Sequence, residues 1–234
     1  MPAKSPTKRS MILLRAEELF ADFGLHGASI RDIAEAAGVP PALVLYHFTT
    51  KEGLYQSVFE ERSRELNTLR EQALQPLLEG SGRPDVKEVL HALARPWFDV
   101  RKVRGGVSYA RLIAREVSDP DEASRGIIAK TLDPIAKLFF QALTRAMPEA
   151  NSSDVHWAGH YFIASLLMMM VNTGRIERLS GKHCRLGRSN EDQMVGFFAA
   201  ALLGLTRAKH GNLARGGASK STQSKRRMAA HGTI

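Results

Sequence analysis

The sequence predicts an all-α chain, on three observations. Apolar residues recur every three or four positions along most of its length. The alternating β-branched runs that mark strands are missing. Glycine and proline fall at intervals that separate helix-length segments. The 234 residues, 44% apolar and 24% charged, have the balance of a soluble globular protein with room for one large domain or two small ones.

The elements follow in order. Ile12, Ala16, Leu19, Phe20 and Phe23 mark the inner face of a first helix that stops at Gly24. Ser29 stands where an N-cap belongs, with Asp32 three residues on to neutralise the amide end. Ile30, Ile33, Ala34 and Ala37 then form the apolar face of a short second helix ending at Gly38. Pro40 and Pro41 suit the opening of a third, because the first amides of a helix need no partner within it. Thr49 and Glu52 have capping-box spacing, Thr50 being an equal candidate for the cap, and a long fourth helix runs from Lys51 toward Pro76. Further helices are expected near 86–103, 107–117, 121–146, 153–179 and 191–207, with Pro96 and Pro134 kinking or dividing theirs. Three units result: residues 1–55, a helix-turn-helix with a basic N-terminal arm; 56–207, a larger helical domain; and 208–234, a basic disordered tail.

The net charge of +9 sits entirely in two arms. Lys4, Lys8 and Arg9 at one end, and Lys209, Arg215, Lys220, Lys225, Arg226 and Arg227 at the other, carry it with no acid among them, and residues 11–207 are formally neutral. Such arms are suited to tracking phosphates or to solubilising the chain. No apolar run approaches the ~18 residues of a membrane span, so no membrane partner is expected. The single Cys184 leaves no disulfide framework, and the N-terminus lacks a secretory cleavage pattern. A cytoplasmic protein is expected.

The two short helices joined at Gly38-Val39 and packed on a first describe a helix-turn-helix. In the second of them, Val44 and Phe48 face inward. Ala42 and Tyr46 point outward, Leu43 and Leu45 flank them, and His47 lies at the helix end. This outward face is sized for a major groove but is apolar: Ala42, Leu43 and Leu45 suit thymine methyls, and polar reading falls to Arg31, Tyr46 and His47.

Residues 11–54, in the blocks LLRAEELFADFG, SIRDIAEAAGV and LYHFTTKEGL, resemble the DNA-binding domain of the tetracycline-repressor (TetR) family. The resemblance implies a homodimer whose heads grip adjacent major grooves of a near-palindromic double-stranded operator, and a helical C-terminal domain that binds a small-molecule effector. By position it places Ser29 and Arg31 at the start of the helix crossing the backbone. It places Pro41, Ala42, Leu43, Leu45, Tyr46 and His47 on the recognition helix, and Lys51 over a phosphate. Leu45 and the Pro40-Pro41 pair depart from the family's usual residues, so no operator sequence carries over. Lys51 opposes the macrodipole at the start of its helix, gains nothing locally, and with the free amides there suits a phosphate.

Segments 153–179 and 191–207 are too apolar to face water, and paired across a two-fold axis they would form a four-helix homodimer interface. An effector pocket would be mostly apolar with a few polar anchors. Its candidates are Trp97, Arg101, Tyr109, Leu112, Glu116, Phe139, His156, Trp157, His160, Met168 and Asn172, with Phe98, Arg111 and Tyr161 beside them. His156 and His160 share a helix face as metal ligands do, but Trp157 stands where a zinc protease carries its glutamate, and no third ligand is fixed by spacing. His183-Cys184 are neighbours in sequence without implied catalytic geometry, and no glycine pattern cradles a phosphate. No catalytic residue, metal site or cofactor is therefore assigned. The expected function is a DNA-binding regulator, most simply a repressor that releases its operator when a mostly apolar molecule binds. The alternative is a regulator without a small-molecule ligand that acts through protein partners.

Overall fold

The computed structural model describes residues 7–100, 106–187 and 189–205. The expectations for Arg101, for the first six residues and for the tail 208–234 fall outside the described residues.

Thr7 opens α1 (Lys8–Gly27), its hydroxyl accepting from the Ser10 amide at 3.1 Å. At Gly24 the backbone leaves the helix (φ 74°, ψ 175°), a conformation open to glycine and strained for other residues, so the continuous helix stops where the sequence stops it. Ile12, Ala16 and Phe20 are buried as expected, but Phe23 is exposed and Leu19 only half-buried. The buried stripe is turned by one position toward Leu13, Glu17 and Ala21. A glutamate on an inner face hides this turn from the hydrophobic pattern.

Ser29 and Asp32 close a complete capping box at the start of α2 (Ile30–Ala37), and Gly38, left-handed at φ 64°, ends it. α3 (Pro41–Phe48) follows after one tight turn, with Val44 and Phe48 buried beneath it. Thr50 caps α4 (Lys51–Glu79), accepting from Gly53 at 2.9 Å, which decides between the two threonines. α4 continues through Pro76 to Glu79.

The body comprises α5 (Val86–Val100), α6 (Gly106–Glu116), α7 (Glu122–Arg125), α8 (Ile127–Thr131), α9 (Asp133–Ala146), α10 (Ser152–Val171), α11 (Arg175–Leu179) and a last helix, α12, over 189–205. Among the described residues there is no strand. The single helix expected over 121–146 is three: Gly126 breaks it in a left-handed conformation, and Pro134 opens α9. The one expected over 153–179 is two, because Asn172 leaves the helix at φ 37° and Gly174 turns the chain into α11. Pro96 lies inside α5 without dividing it.

α4 crosses the expected boundary at residue 55 without interruption, and one connected core runs from Ile12 to Leu202. Head and body are joined by a buried ion pair. Arg62 of α4 donates to Glu17 of α1 through Nε (2.5 Å) and Nη2 (3.0 Å), and Glu17 is 2% exposed. Burial raises the Glu17 carboxyl above the usual carboxylate range, and Arg62 works against that shift. Breaking such a pair from one side strands a buried charge. Glu17→Ala is expected to cost about 3–5 kcal/mol in urea denaturation, and Glu17→Leu combined with Arg62→Leu should recover most of it. A single variant as stable as the wild type would show that the pair does not hold head to body.

Candidate functional site

The outward face of α3 is built by what lies under it. With Val44 and Phe48 fixed in the core, helical geometry turns Pro41, Ala42, Leu45 and Tyr46 to solvent, Tyr46 being 81% exposed. Leu43 and His47 are half-buried at the flanks, and the His47 ring sits between those of Tyr46 (5.3 Å) and Phe48 (6.0 Å). Ser29 and Arg31 are exposed at the start of α2, and Arg31 has no side-chain partner among the described residues. The nine residues singled out for DNA thus lie on or beside one solvent face, with Leu43, His47 and Lys51 half-buried at its edges.

Lys51 corrects the sequence reading in one respect. Its ammonium donates to the Ala28 carbonyl oxygen at 3.3 Å, so it does gain something locally: it ties the start of α4 to the turn between α1 and α2. Two ammonium donors remain for a phosphate. A further cation has no signal in the sequence. The Arg9 guanidinium lies 5.3 Å from the Phe48 ring, beside the end of the recognition helix, and 4.0 Å from Glu61. No spacing rule links residues 9 and 48, which meet only through the tertiary fold.

The end of α6 is where the body takes hold of the head. Arg115 donates through Nε and Nη2 to the carbonyl oxygens of Ala21 and Asp22, both at 2.7 Å, and Arg111 lies 3.4 Å from the Asp22 carboxylate. Next to it, the buried Glu116 accepts from the Tyr55 hydroxyl of α4 at 2.8 Å and from Arg125 at 2.9 and 3.1 Å. Arg125 also reaches Asp119 at 3.0 Å. Burial and then the Glu116 carboxylate raise the Tyr55 hydroxyl above its ordinary pKa, and the bond to Glu116 raises Arg125. Rings continue the contact: Tyr109 of α6 meets Phe59 at 6.1 Å, Phe59 meets Tyr55 at 5.2 Å, and Tyr55 meets Phe20 of α1 at 5.0 Å.

The ten described pocket candidates lie in different parts of the body. Trp97, Tyr109, Leu112 and Phe139 are buried in the core of the body. Glu116 is buried too, but its oxygens are already taken by Arg125 and Tyr55. His156, Trp157 and His160 line an open surface cavity of about 340 Å³ with Phe140 and Ser153. His156 donates from Nδ1 to the Ser152 carbonyl (2.7 Å) and stacks on Phe140 at 4.8 Å. Met168 and Asn172 belong to a separate cavity of about 490 Å³ between α10, α11 and α12. Trp157 and Met168 are 58% and 69% exposed, on the outward side of α10. Arg101 is not among the described residues.

His183 and Cys184 are exposed in the loop before α12. His91 lies between two carboxylates, with Nδ1 2.9 Å from Glu191 and Nε2 3.5 Å from Asp192. One ligand atom from each of His91, Glu191 and Asp192 lies within 4.8 Å of the others, and Arg95 reaches Glu191 at 3.3 Å. No helix among the described residues is long and apolar enough to cross a membrane.

Comparison with known proteins bears on both halves. The family of bacterial regulatory proteins of the tetR type matches residues 12–58, and the tetracyclin repressor-like C-terminal domain matches residues 91–201. The HTH-type transcriptional regulatory protein RaaS of Mycobacterium tuberculosis is 30% identical over 136 residues, 55% of this chain and 64% of that protein. The HTH-type regulator RutR of Escherichia coli K12 is 43% identical over 54 residues, 23% of this chain and 26% of that one. The chain thus spans less than two thirds of each relative. Among solved structures, the fatty acid degradation regulator FadR from Bacillus halodurans superposes with a TM-score of 0.59 at 20% identity, covering 86% of this chain and 97% of that one. A putative regulator from Pseudomonas aeruginosa PAO1 gives 0.59 at 16% identity, covering 90% and 96%. At these identities the likeness is one of fold.

Lys51 and Tyr46, both singled out for DNA, should separate by their salt dependence. Lys51→Ala is expected to weaken binding to every duplex by a similar factor and to reduce the salt slope by about 0.9 for each phosphate that is no longer neutralised. Tyr46→Ala should leave the slope alone and change the ranking of operator variants. A Lys51→Ala protein with an unchanged slope and altered base preference would reverse the two roles.

Proposed function

The chain belongs to the tetracycline-repressor family of helix-turn-helix transcriptional regulators, and from that premise we propose that it is a ligand-responsive repressor. Two heads, one per subunit, hold a near-palindromic operator, and a small, mostly apolar molecule in the body releases it. The observation that carries this reading is the double grip at the end of α6. Arg115 holds α1 and Glu116 holds α4, while Tyr109, two turns earlier on the same helix, is buried in the body. A shift of α6 in answer to a ligand would move both supports of α3 together.

The physical requirement is differential affinity: the ligand must favour the arrangement whose heads do not fit the operator. A coupling of about 1–3 kcal/mol would lower operator affinity roughly 5- to 150-fold, and DNA would weaken ligand binding by the same factor. Pairing of subunits is supported by the outward faces of α10 and α12. Trp157, Tyr161 and Met168 on the first and Phe197 and Leu203 on the second are large apolar side chains exposed to solvent. Such faces, continuous over two helices, suit a four-helix contact between copies.

Selection of bound duplexes from a random pool, then footprinting, tests the DNA half. The expected site has two-fold symmetry, with half-site centres roughly 34 Å apart. A footprint over one unsymmetrical half-site would sink the dimer. Arg115→Ala tests the switch: it should bind an effector found by thermal-shift screening as the wild type does, yet lose most of the ligand's effect on operator affinity. If the variant responds in full, α6 does not carry the signal.

A further inference from the structure

Among the described residues, Arg62, Arg70 and Arg125 reach into the interior, and two of them meet a carboxylate. Arg62 is paired with Glu17, and Arg125 with Glu116. Arg70, 4% exposed, has none. Its Nε donates to the Leu93 carbonyl oxygen at 3.2 Å, and its guanidinium carbon lies 4.9 Å from the Trp97 ring. Among the described residues, its two terminal nitrogens have no hydrogen-bond acceptor. Taking a cation out of water without a counter-ion is costly, and one carbonyl and one ring face offset only part of that. Burial pulls the guanidinium down to about 9, which still leaves it charged at neutral pH.

A buried hydroxyl without a partner stands in electrostatic contact with it. Tyr109 is almost wholly buried, and its hydroxyl has no hydrogen-bond partner among the described residues. The Ser63 hydroxyl is a near neighbour but gives its own bond to the Glu60 carbonyl at 3.4 Å. The Tyr109 ring is nearly parallel to that of Trp97 (5.9 Å, 17°), so Trp97 joins the two groups into one cluster contributed by α4, α5 and α6. Buried polar atoms normally find partners, and a cation without a counter-ion, in electrostatic contact with an unpartnered hydroxyl, is the complement of an oxyanion.

We propose that the effector is an amphipathic organic acid whose carboxylate is held by the terminal nitrogens of Arg70 and by the Tyr109 hydroxyl, with its apolar part against Trp97 and the neighbouring core. This rests on the reading above that the body holds an effector, and it names that molecule's chemical class. One uncompensated positive charge matches a monoanion, and the planar guanidinium fork matches the two oxygens of a carboxylate. Phosphate esters, with up to two charges, would be left half-neutralised by a single arginine. The acid also engages α6 at Tyr109, above the residues that grip the head.

Calorimetric titration of the full chain at pH 7 tests this with matched pairs: octanoate against octan-1-ol, and 3-phenylpropanoate against 3-phenylpropan-1-ol. At least one acid should bind about tenfold or more tightly than its alcohol, as a charge-assisted bond allows. Arg70→Met should close that gap, and Arg70→Lys should keep part of it. Tyr109→Phe should weaken the acid several-fold with an unchanged melting temperature. If each acid binds no better than its alcohol, or if Arg70→Met keeps the preference, the assignment is overturned. Should Arg70→Met fail to fold, the wild-type pairs and Tyr109→Phe decide. Operator affinity measured beside each titration keeps the two ideas apart. An acid bound through Arg70 that leaves DNA affinity unchanged supports the site and removes the switch. An alcohol that binds equally well and releases DNA supports the switch and removes the acid.

Discussion

The carbonyl groups at the end of a helix carry partial negative charge and lack partners within it, and Arg115 meets those of α1 from the body. This contact ties α1, on which α3 packs, to the body. α3 touches the body through α1, α2 and α4, so whatever fixes α1 and α4 fixes the recognition helix. Arg115 supplies the first restraint as a donor and Glu116 the second as an acceptor, from adjacent positions on one helix end. The opposite chemistry of these two neighbours lets one short segment hold two helices at once.

The interior is more polar than a helical core needs to be. Glu17, Ser63, Arg70, Glu116 and Thr131 are all buried. Arg62 and Arg125 neutralise the two carboxylates, and Thr131 bonds back to the Ile127 carbonyl at 2.7 Å. An apolar core of similar volume would be no less stable, so these groups are better understood as specifying one arrangement of helices. Arg70, without a counter-ion, and Tyr109, with an unpartnered hydroxyl, stand outside that account.

The head is legible almost to the residue, because its signals are local. The Ser29–Asp32 box, Gly38, the proline opening of α3 and the threonine cap of α4 each act within four residues, where sequence spacing is spatial spacing. Phe23 is the exception, because a hydrophobic pattern does not anticipate a buried glutamate, and Glu17 is buried only because Arg62 arrives from 45 positions away. The body behaves differently. Its helices are legible, but Trp157 and Met168, offered as pocket residues, are exposed, and composition alone does not tell an exposed apolar face from a core. Arg70 is silent for the converse reason. It lies among Arg62, Arg64, Glu65 and Glu71 on a helix that reads as solvated, and nothing local marks it as a charge that turns inward.

The Glu17–Arg62 pair has a consequence for how such a chain can change over generations. Helix-turn-helix heads are commonly thought of as interchangeable parts, joined to whatever sensor lies behind them. Here a graft that carried residues 1–55 onto an unrelated body would take Glu17 without Arg62, and Ala21 and Asp22 without Arg115. The transplanted head would bring a buried anion with no cation and would lack its anchor to the body. Recombination at this boundary is therefore penalised, and new specificities are reached more readily by substitution on the exposed face of α3, where Ala42, Leu45 and Tyr46 answer to no buried partner.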